Sequence, residues 1–218
     1  MKKLKKETKL HKKFIQTYLA ECEEILKKIS IEDIDKIIAY LFKAWRDESS
    51  IFVMGNGGSA SAASHFAADL SKYTIGNSYE KKIRRFKVIC LTDNASSISA
   101  WTNDVGFESI FEEQLKPWLK ANDVIVAFSV HGGSGSPMKG KKWSQNIPRA
   151  IALAKERGAK VIGFSGDSGG VLKELSDACV VVPTVNKDHI TVHVEGFHAV
   201  IHHLIIHRLK QLIQAWGK

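Results

Sequence analysis

Cysteine is scarce in this 218-residue chain: three are present. Cys22, Cys90 and Cys179 stand far apart, with no CxxC pair and an odd total that cannot close into a full disulfide set. A reducing, cytoplasmic compartment is therefore expected. Long apolar runs are missing too: nowhere do 18 apolar residues follow one another, which excludes a membrane-spanning helix. The lysine-rich start, Met1 to Lys13, precedes no apolar stretch of the length a secretory signal needs. A soluble, cytosolic protein with no membrane partner is expected. Low-complexity tracts and repeats at a fixed period are also absent, so disorder is expected only at the ends.

What is there is globular in character. Hydrophobic residues make up 44% and charged residues 25%, enough of each for a buried core under a solvated surface. The length suits one large α/β domain with a helical preface, residues 1–49 ahead of 50–218. The net charge of +9 raises the question of nucleic acid, but seven of the lysines fall in the first 13 residues, as in a solvated helix start. No basic-aromatic surface motif accompanies them, so nucleic acid is not the expected partner. A positive field also attracts anionic sugar phosphates.

Along the chain, residues 10–48 read as two amphipathic helices, with apolar positions three and four apart (Ile25, Ile29; Ile34, Ile37, Ile38, Leu41) and Ser30 with Asp33 able to cap the second. From Ser50 onward the pattern becomes short apolar runs, each closed by a polar or glycine-rich turn: 51–54, 87–91, 124–128, 160–164 and 178–182. Helices are expected between them at 60–72, 96–101, 107–119, 147–157 and 170–175, and a longer last one at 192–214. Five buried strands alternating with helices imply a parallel sheet covered on both faces. Residues 132–145 are rich in glycine, serine and lysine and form a loop longer than such units usually carry.

Ligands of open parallel sheets bind beyond the carboxyl ends of the strands, so the turns there matter most. Gly55-Asn56-Gly57-Gly58-Ser59 follows a strand and opens a helix, an arrangement in which glycines admit a phosphate and the helix N-terminus supplies N–H groups and partial positive charge. Ser129-Val130-His131-Gly132-Gly133-Ser134 follows another strand with two hydroxyls and two glycines. Neither is a nucleotide signature, since the GxxxxGKS lysine and the GxGxxG spacing are both missing. Next to the first turn, His65 and Asp69 lie four apart on one helix face. On the last helix Glu195, His198, His202 and His203 have offsets of 0, 3, 7 and 8 and share a broad face. Histidines and carboxylates so spaced can bind zinc or move protons.

With these residues in view, the chain resembles the sugar isomerase (SIS) domain family and, within it, the sedoheptulose 7-phosphate (phosphoheptose) isomerases. GNGGSASAASHFAADL at Gly55 to Leu70, TNDVGFESIFEEQL at Thr102 to Leu115, GDSGG at Gly166 to Gly170 and VVVP at Val180 to Pro183 carry the likeness. The resemblance implies an α/β fold, a flavodoxin-like three-layer sandwich with a five-stranded parallel sheet and N-terminal helices. It also implies a homotetramer with active sites at subunit interfaces, making D-glycero-D-manno-heptose 7-phosphate for surface polysaccharide, with one zinc per subunit. By position it places substrate and phosphate contacts at Asn56, Gly57, Gly58, Ser59, Asn103, Asp104, Ser129, Val130, His131, Ser134 and Glu195. Zinc ligands fall at His65, Asp69, Glu195 and His203. Asp69 is the expected base and His203 the expected acid, with His202 one position away as the rival.

Three departures from the family pattern stand out: Asp69 where glutamate is usual, Glu195 where glutamine is usual, and Ser129-Val130-His131 in place of Ser-Thr-Ser, followed by an insertion of about ten residues. They leave two alternatives beside the heptose reaction. One is isomerisation of a different sugar phosphate; the other is a non-catalytic SIS-domain regulator that binds a partner or takes part in DNA replication.

Overall fold

The computed structural model describes residues 2–76, 83–133 and 144–216. Two helices come first, α1 (Lys2–Lys28) and α2 (Ile31–Arg46). Ser30 caps the second as its hydroxyl accepts the Asp33 N–H at 3.1 Å, and Glu32 and Asp33 put negative charge where the helix dipole is positive.

Five strands follow: β1 (Ser50–Gly55), β2 (Lys87–Cys90), β3 (Val124–Ser129), β4 (Lys160–Gly166) and β5 (Ala178–Val182). They form one all-parallel sheet in the order β2-β1-β3-β4-β5. The helices between them are α3 (Gly58–Lys72), α4 (Ala95–Asp104), α5 (Ile110–Leu115), α6 (Asn146–Glu156) and α7 (Gly170–Leu175), and α8 (Ile190–Trp216) closes the chain. No described helix is long and apolar enough to cross a membrane.

Period-two alternation in the strands divides the core between the two faces of the sheet. Ile51, Val53, Val126, Phe128 and Phe164 pack against α2, α3 and α8 through Ile37, Leu41, Phe66, Leu70 and Ile201. Phe52, Met54, Ile125 and Val161 pack on the other side against Phe111, Leu115 and Ile151 of α5 and α6. This is the expected three-layer sandwich, with every residue of β3 buried at its centre. The strand starts are pinned by Asp123, itself buried, whose carboxylate accepts from Ser50 N at 2.8 Å and Lys120 N at 2.9 Å.

One helix is shorter than its pattern suggests. The stretch expected to be helical over 107–119 begins as a 3₁₀ turn, Phe107–Ser109, and its α-helix ends at Leu115. Pro117 has no N–H to continue the ladder, so the remaining residues turn away. Most of the expected long loop, residues 134–143, lies outside the described residues, and Ser134 with it.

Candidate active site

The carboxyl ends of β1, β3 and β4 lie side by side, since Gly55 pairs with Phe128 and Ser129 with Ser165. Strand order reverses between β1 and β3, the position at which a parallel sheet opens a crevice. The turn at residues 55–59 leads into α3 on one side of that crevice, and the turn at residues 129–133 leaves β3 on the other. A cavity of about 170 Å³ lies between them, lined by Asn56, Ser59, Ser129, Val130, His131 and Glu195 among others. No side chain caps α3, and while Ala60 N donates to Gly57 O at 3.0 Å, the N–H groups of Gly58 and Ser59 are left available to an anion.

The cavity wall is held by specific contacts. Asn56 and Asn146 exchange two amide hydrogen bonds, 3.0 and 2.9 Å long. Asn146 is wholly buried at the head of α6 and so fixes the first turn from 90 residues away. In the second turn the Ser129 hydroxyl accepts the Gly133 N–H at 3.3 Å. A Cβ on residue 58 would collide with the Glu195 carboxylate. Glycine there is what lets Glu195 reach from α8 across the start of α3.

Farther along α3 a second group assembles. His65 and Asp69, one turn apart, meet His202 and His203 of α8 in a cluster whose ligand atoms all lie within 4.8 Å of one another. Asp69 Oδ2 is 3.5 Å from His65 Nε2, 3.5 Å from His203 Nε2 and 3.8 Å from His202 Nε2. These separations exceed a hydrogen bond but match the roughly 3.3 Å between ligands of a tetrahedral ion bonded at about 2 Å. His202 is fully buried, and neither of its ring nitrogens has a hydrogen-bond partner. Burial, then the neighbouring His203, His65 and His198, pushes its pKa down to about 3. A neutral imidazole with an unpaired, buried nitrogen has the form of a metal ligand, so the residues present fit a divalent ion.

A second carboxylate–histidine group provides a contrast. Glu21 of α1 has Oε2 at 2.7 Å from His189 Nδ1 and 2.8 Å from His193 Nε2, while Oε1 accepts from Asn186 Nδ2 at 2.8 Å. Hydrogen bonds from His189, Asn186 and His193 hold its carboxyl down at about 2. Such spacings are those of a closed polar clamp, and they tie α1 to the start of α8.

Comparison with known proteins gives this arrangement a lineage. The SIS domain model matches residues 17–166. The chain belongs to the SIS-domain family. Among curated SIS-related proteins, phosphoheptose isomerase 1 of Campylobacter jejuni is 33% identical over 210 residues, 96% of either chain. Lincomycin biosynthesis protein LmbN of Streptomyces lincolnensis is 46% identical over 165 residues, 76% of this chain. The match spans 57% of LmbN's own length. The solved structure of phosphoheptose isomerase GmhA from Neisseria gonorrhoeae superposes with a TM-score of 0.76 at 24% identity, covering 92% of this chain and 98% of that one. It shows the same fold.

Within this SIS fold the expected residues are distributed unevenly. Asn56, Ser59, Ser129, Val130 and His131 share the cavity with Glu195, while Gly57 is the N-cap of α3 and Gly58 its first residue. His65, Asp69 and His203 come together as expected of ligands, but Glu195 does not join them. It stands seven residues before His202, about 10 Å along the helix, and its carboxylate lies over Gly58. His202 takes the fourth place. Asn103 and Asp104 are exposed at the end of α4, hydrogen-bonded to each other at 2.7 Å, and line neither the cavity nor the groove beside His65. Sequence reasoning missed Asn146 altogether. No motif marks it, because its significance lies in one contact across the sheet.

Proposed function

We propose that this protein is a phosphosugar aldose-ketose isomerase that converts sedoheptulose 7-phosphate into D-glycero-D-manno-heptose 7-phosphate through an enediol(ate). One observation carries the reading: α3 joins an anion cradle at its first turn to a three-histidine, one-carboxylate cluster about two turns along. A substrate phosphate at the first and a carbonyl at the second suits a sugar chain, and remote phosphate binding orients the reacting carbons. The C. jejuni phosphoheptose isomerase, alike over almost its whole length, supports the choice of a seven-carbon substrate.

The chemistry needs a base at the carbon beside the carbonyl and an acid at the carbonyl oxygen. All three imidazoles approach Oδ2 of Asp69, so Oδ1 is the atom assigned to take the proton from carbon. His203, half exposed beside it, gives a proton to the carbonyl oxygen, forming the enediol; Asp69 then returns its proton to the former carbonyl carbon while the hydroxyl on the neighbouring carbon gives its proton back to His203, leaving the aldehyde. Zinc held by His65, Asp69, His202 and His203 would polarise the substrate oxygens and stabilise the enediolate. Asn56, Ser59 and the second turn hold the phosphate end.

The proposed assembly is a cytoplasmic homotetramer with active sites at subunit interfaces. Ile15, Leu19 and Leu26 leave an apolar stripe on one face of α1 more than half exposed, suited to a second copy of the chain. Half-exposed His65 and His203 fit a site that a neighbour completes. Sedimentation equilibrium giving a monomer would refute the assembly. The reaction is tested by ketose-to-aldose conversion with Asp69→Asn and His203→Ala proteins across five-, six- and seven-carbon ketose phosphates. Unchanged turnover in either variant removes its assigned role, preference for another chain length removes the heptose assignment, and metal analysis finding no zinc in chelator-free protein removes the ion.

A further inference from the structure

The third glycine turn, residues 166–170 after β4, carries no assigned role, yet it is locked to the second turn. A Cβ on Gly132 would run into the carbonyl oxygen of Gly169. Leu172 N donates to Gly132 O at 3.0 Å, and the Ser165 hydroxyl donates to Gly169 O at 3.1 Å. From this turn Asp167 brings Oδ2 to 3.4 Å from His131 Nδ1. Asp167 does so at φ 54°, a left-handed conformation that costs a non-glycine residue about 1 kcal/mol and persists where surrounding structure enforces it.

Charge shows what the contact serves. A phosphate monoester carries roughly −1.5 to −2 at neutral pH, and the cavity meant to hold it already contains the Glu195 carboxylate. Amides, hydroxyls and the α3 terminus offer partial charges only. Among the described lining residues His131 is the side chain able to carry a full positive charge. Its ring is about one-third exposed, so its direction depends on what it touches.

We infer that Asp167 is a positioning residue that orients the His131 imidazole as an N–H donor to the phosphate group of the substrate. The second turn thereby recognises a phosphate monoester with a ring held from a neighbouring turn. The inference rests on reading the cavity as the phosphate end of an isomerase site.

Asp167→Asn is an informative change, because asparagine tolerates the left-handed conformation and the substitution removes the charge with little effect on the backbone. Calorimetric titration with inorganic phosphate and with sedoheptulose 7-phosphate would compare wild type, Asp167→Asn, His131→Asn and the double variant. We expect His131→Asn to weaken both ligands about tenfold, the scale of a hydrogen bond to a charged group, and Asp167→Asn about three- to fivefold, the scale of a part-exposed charged contact. The double variant should bind no more weakly than His131→Asn, because Asp167 acts through the ring. In turnover, Asp167→Asn should raise KM with kcat within about twofold.

Losses that multiply in the double variant, phosphate binding unaffected by His131→Asn, or a fall in kcat at constant KM would each overturn the assignment. The binding arm needs no turnover. Wild type that binds phosphate with the expected pattern but isomerises no sugar would refute the proposed reaction while supporting this role for Asp167.

Discussion

Lowering the pH from 7 to 5 is expected to cost the folded protein about 2 kcal/mol through His198 alone. This residue of α8 is fully buried edge-on against the stacked rings of Phe128 and Phe164, with ring centroids 5.6 and 6.0 Å away. Its Nε2 donates to the Ser165 carbonyl at 3.2 Å, and Nδ1 has no partner. Burial outweighs that hydrogen bond and lowers the pKa from 6.5 to about 4. Between those values the unfolded chain binds the proton and the folded one does not, so stability is fully present above pH 6.5 and is lost as pH falls toward 4. The whole shift is worth about 3 kcal/mol at about 1.4 kcal/mol per unit, of which roughly two-thirds is gone by pH 5. Urea denaturation of metal-free wild type and His198→Gln at pH 7 and pH 5 isolates the effect, since glutamine can still donate to Ser165 O but does not titrate. The loss on acidification should be about 2 kcal/mol smaller in the variant. Equal losses in the two proteins would show that His198 does not govern this part of the acid response.

Other expectations follow from single contacts. Asp69→Asn should lower kcat by about 10²- to 10⁴-fold in a coupled aldose assay, the usual contribution of a positioned base. Glu195→Gln should tighten inorganic phosphate binding about fivefold by calorimetry, because it removes a like charge from the cavity; it should leave the metal content unchanged, since Glu195 lies outside the histidine cluster. A drop in bound metal would place Glu195 among the ligands after all. Asp123→Ala should cost about 2 kcal/mol of stability in urea titrations by orphaning the N–H groups of Ser50 and Lys120, and a change below about 0.5 kcal/mol would contradict that assignment.

Much of the architecture was determined locally. Apolar runs closed by polar or glycine-rich turns mark all five strands, and the strand at 178–182 and the helix at 170–175 occur with their expected limits. Their alternation dictates a parallel sheet because parallel neighbours need a crossover helix. The two cradle turns and the His65–Asp69 pair are legible for the same reason: each is a short segment whose geometry depends on near neighbours in sequence. Helical spacing could not separate His202 from His203 or set Glu195 apart from either, because residues on one broad helix face point at different neighbours. Packing of α8 against α3 buried His202 beside His65, Asp69 and His203, while Gly58 admitted Glu195 to the cavity between the two turns, about two helical turns away. Asn146 against Asn56, Glu21 against His189 and His193, and Asp167 against His131 are likewise contacts between segments far apart in the chain. Periodicity carries no information about such pairs; only closure of the sheet and its covering helices brings them within reach.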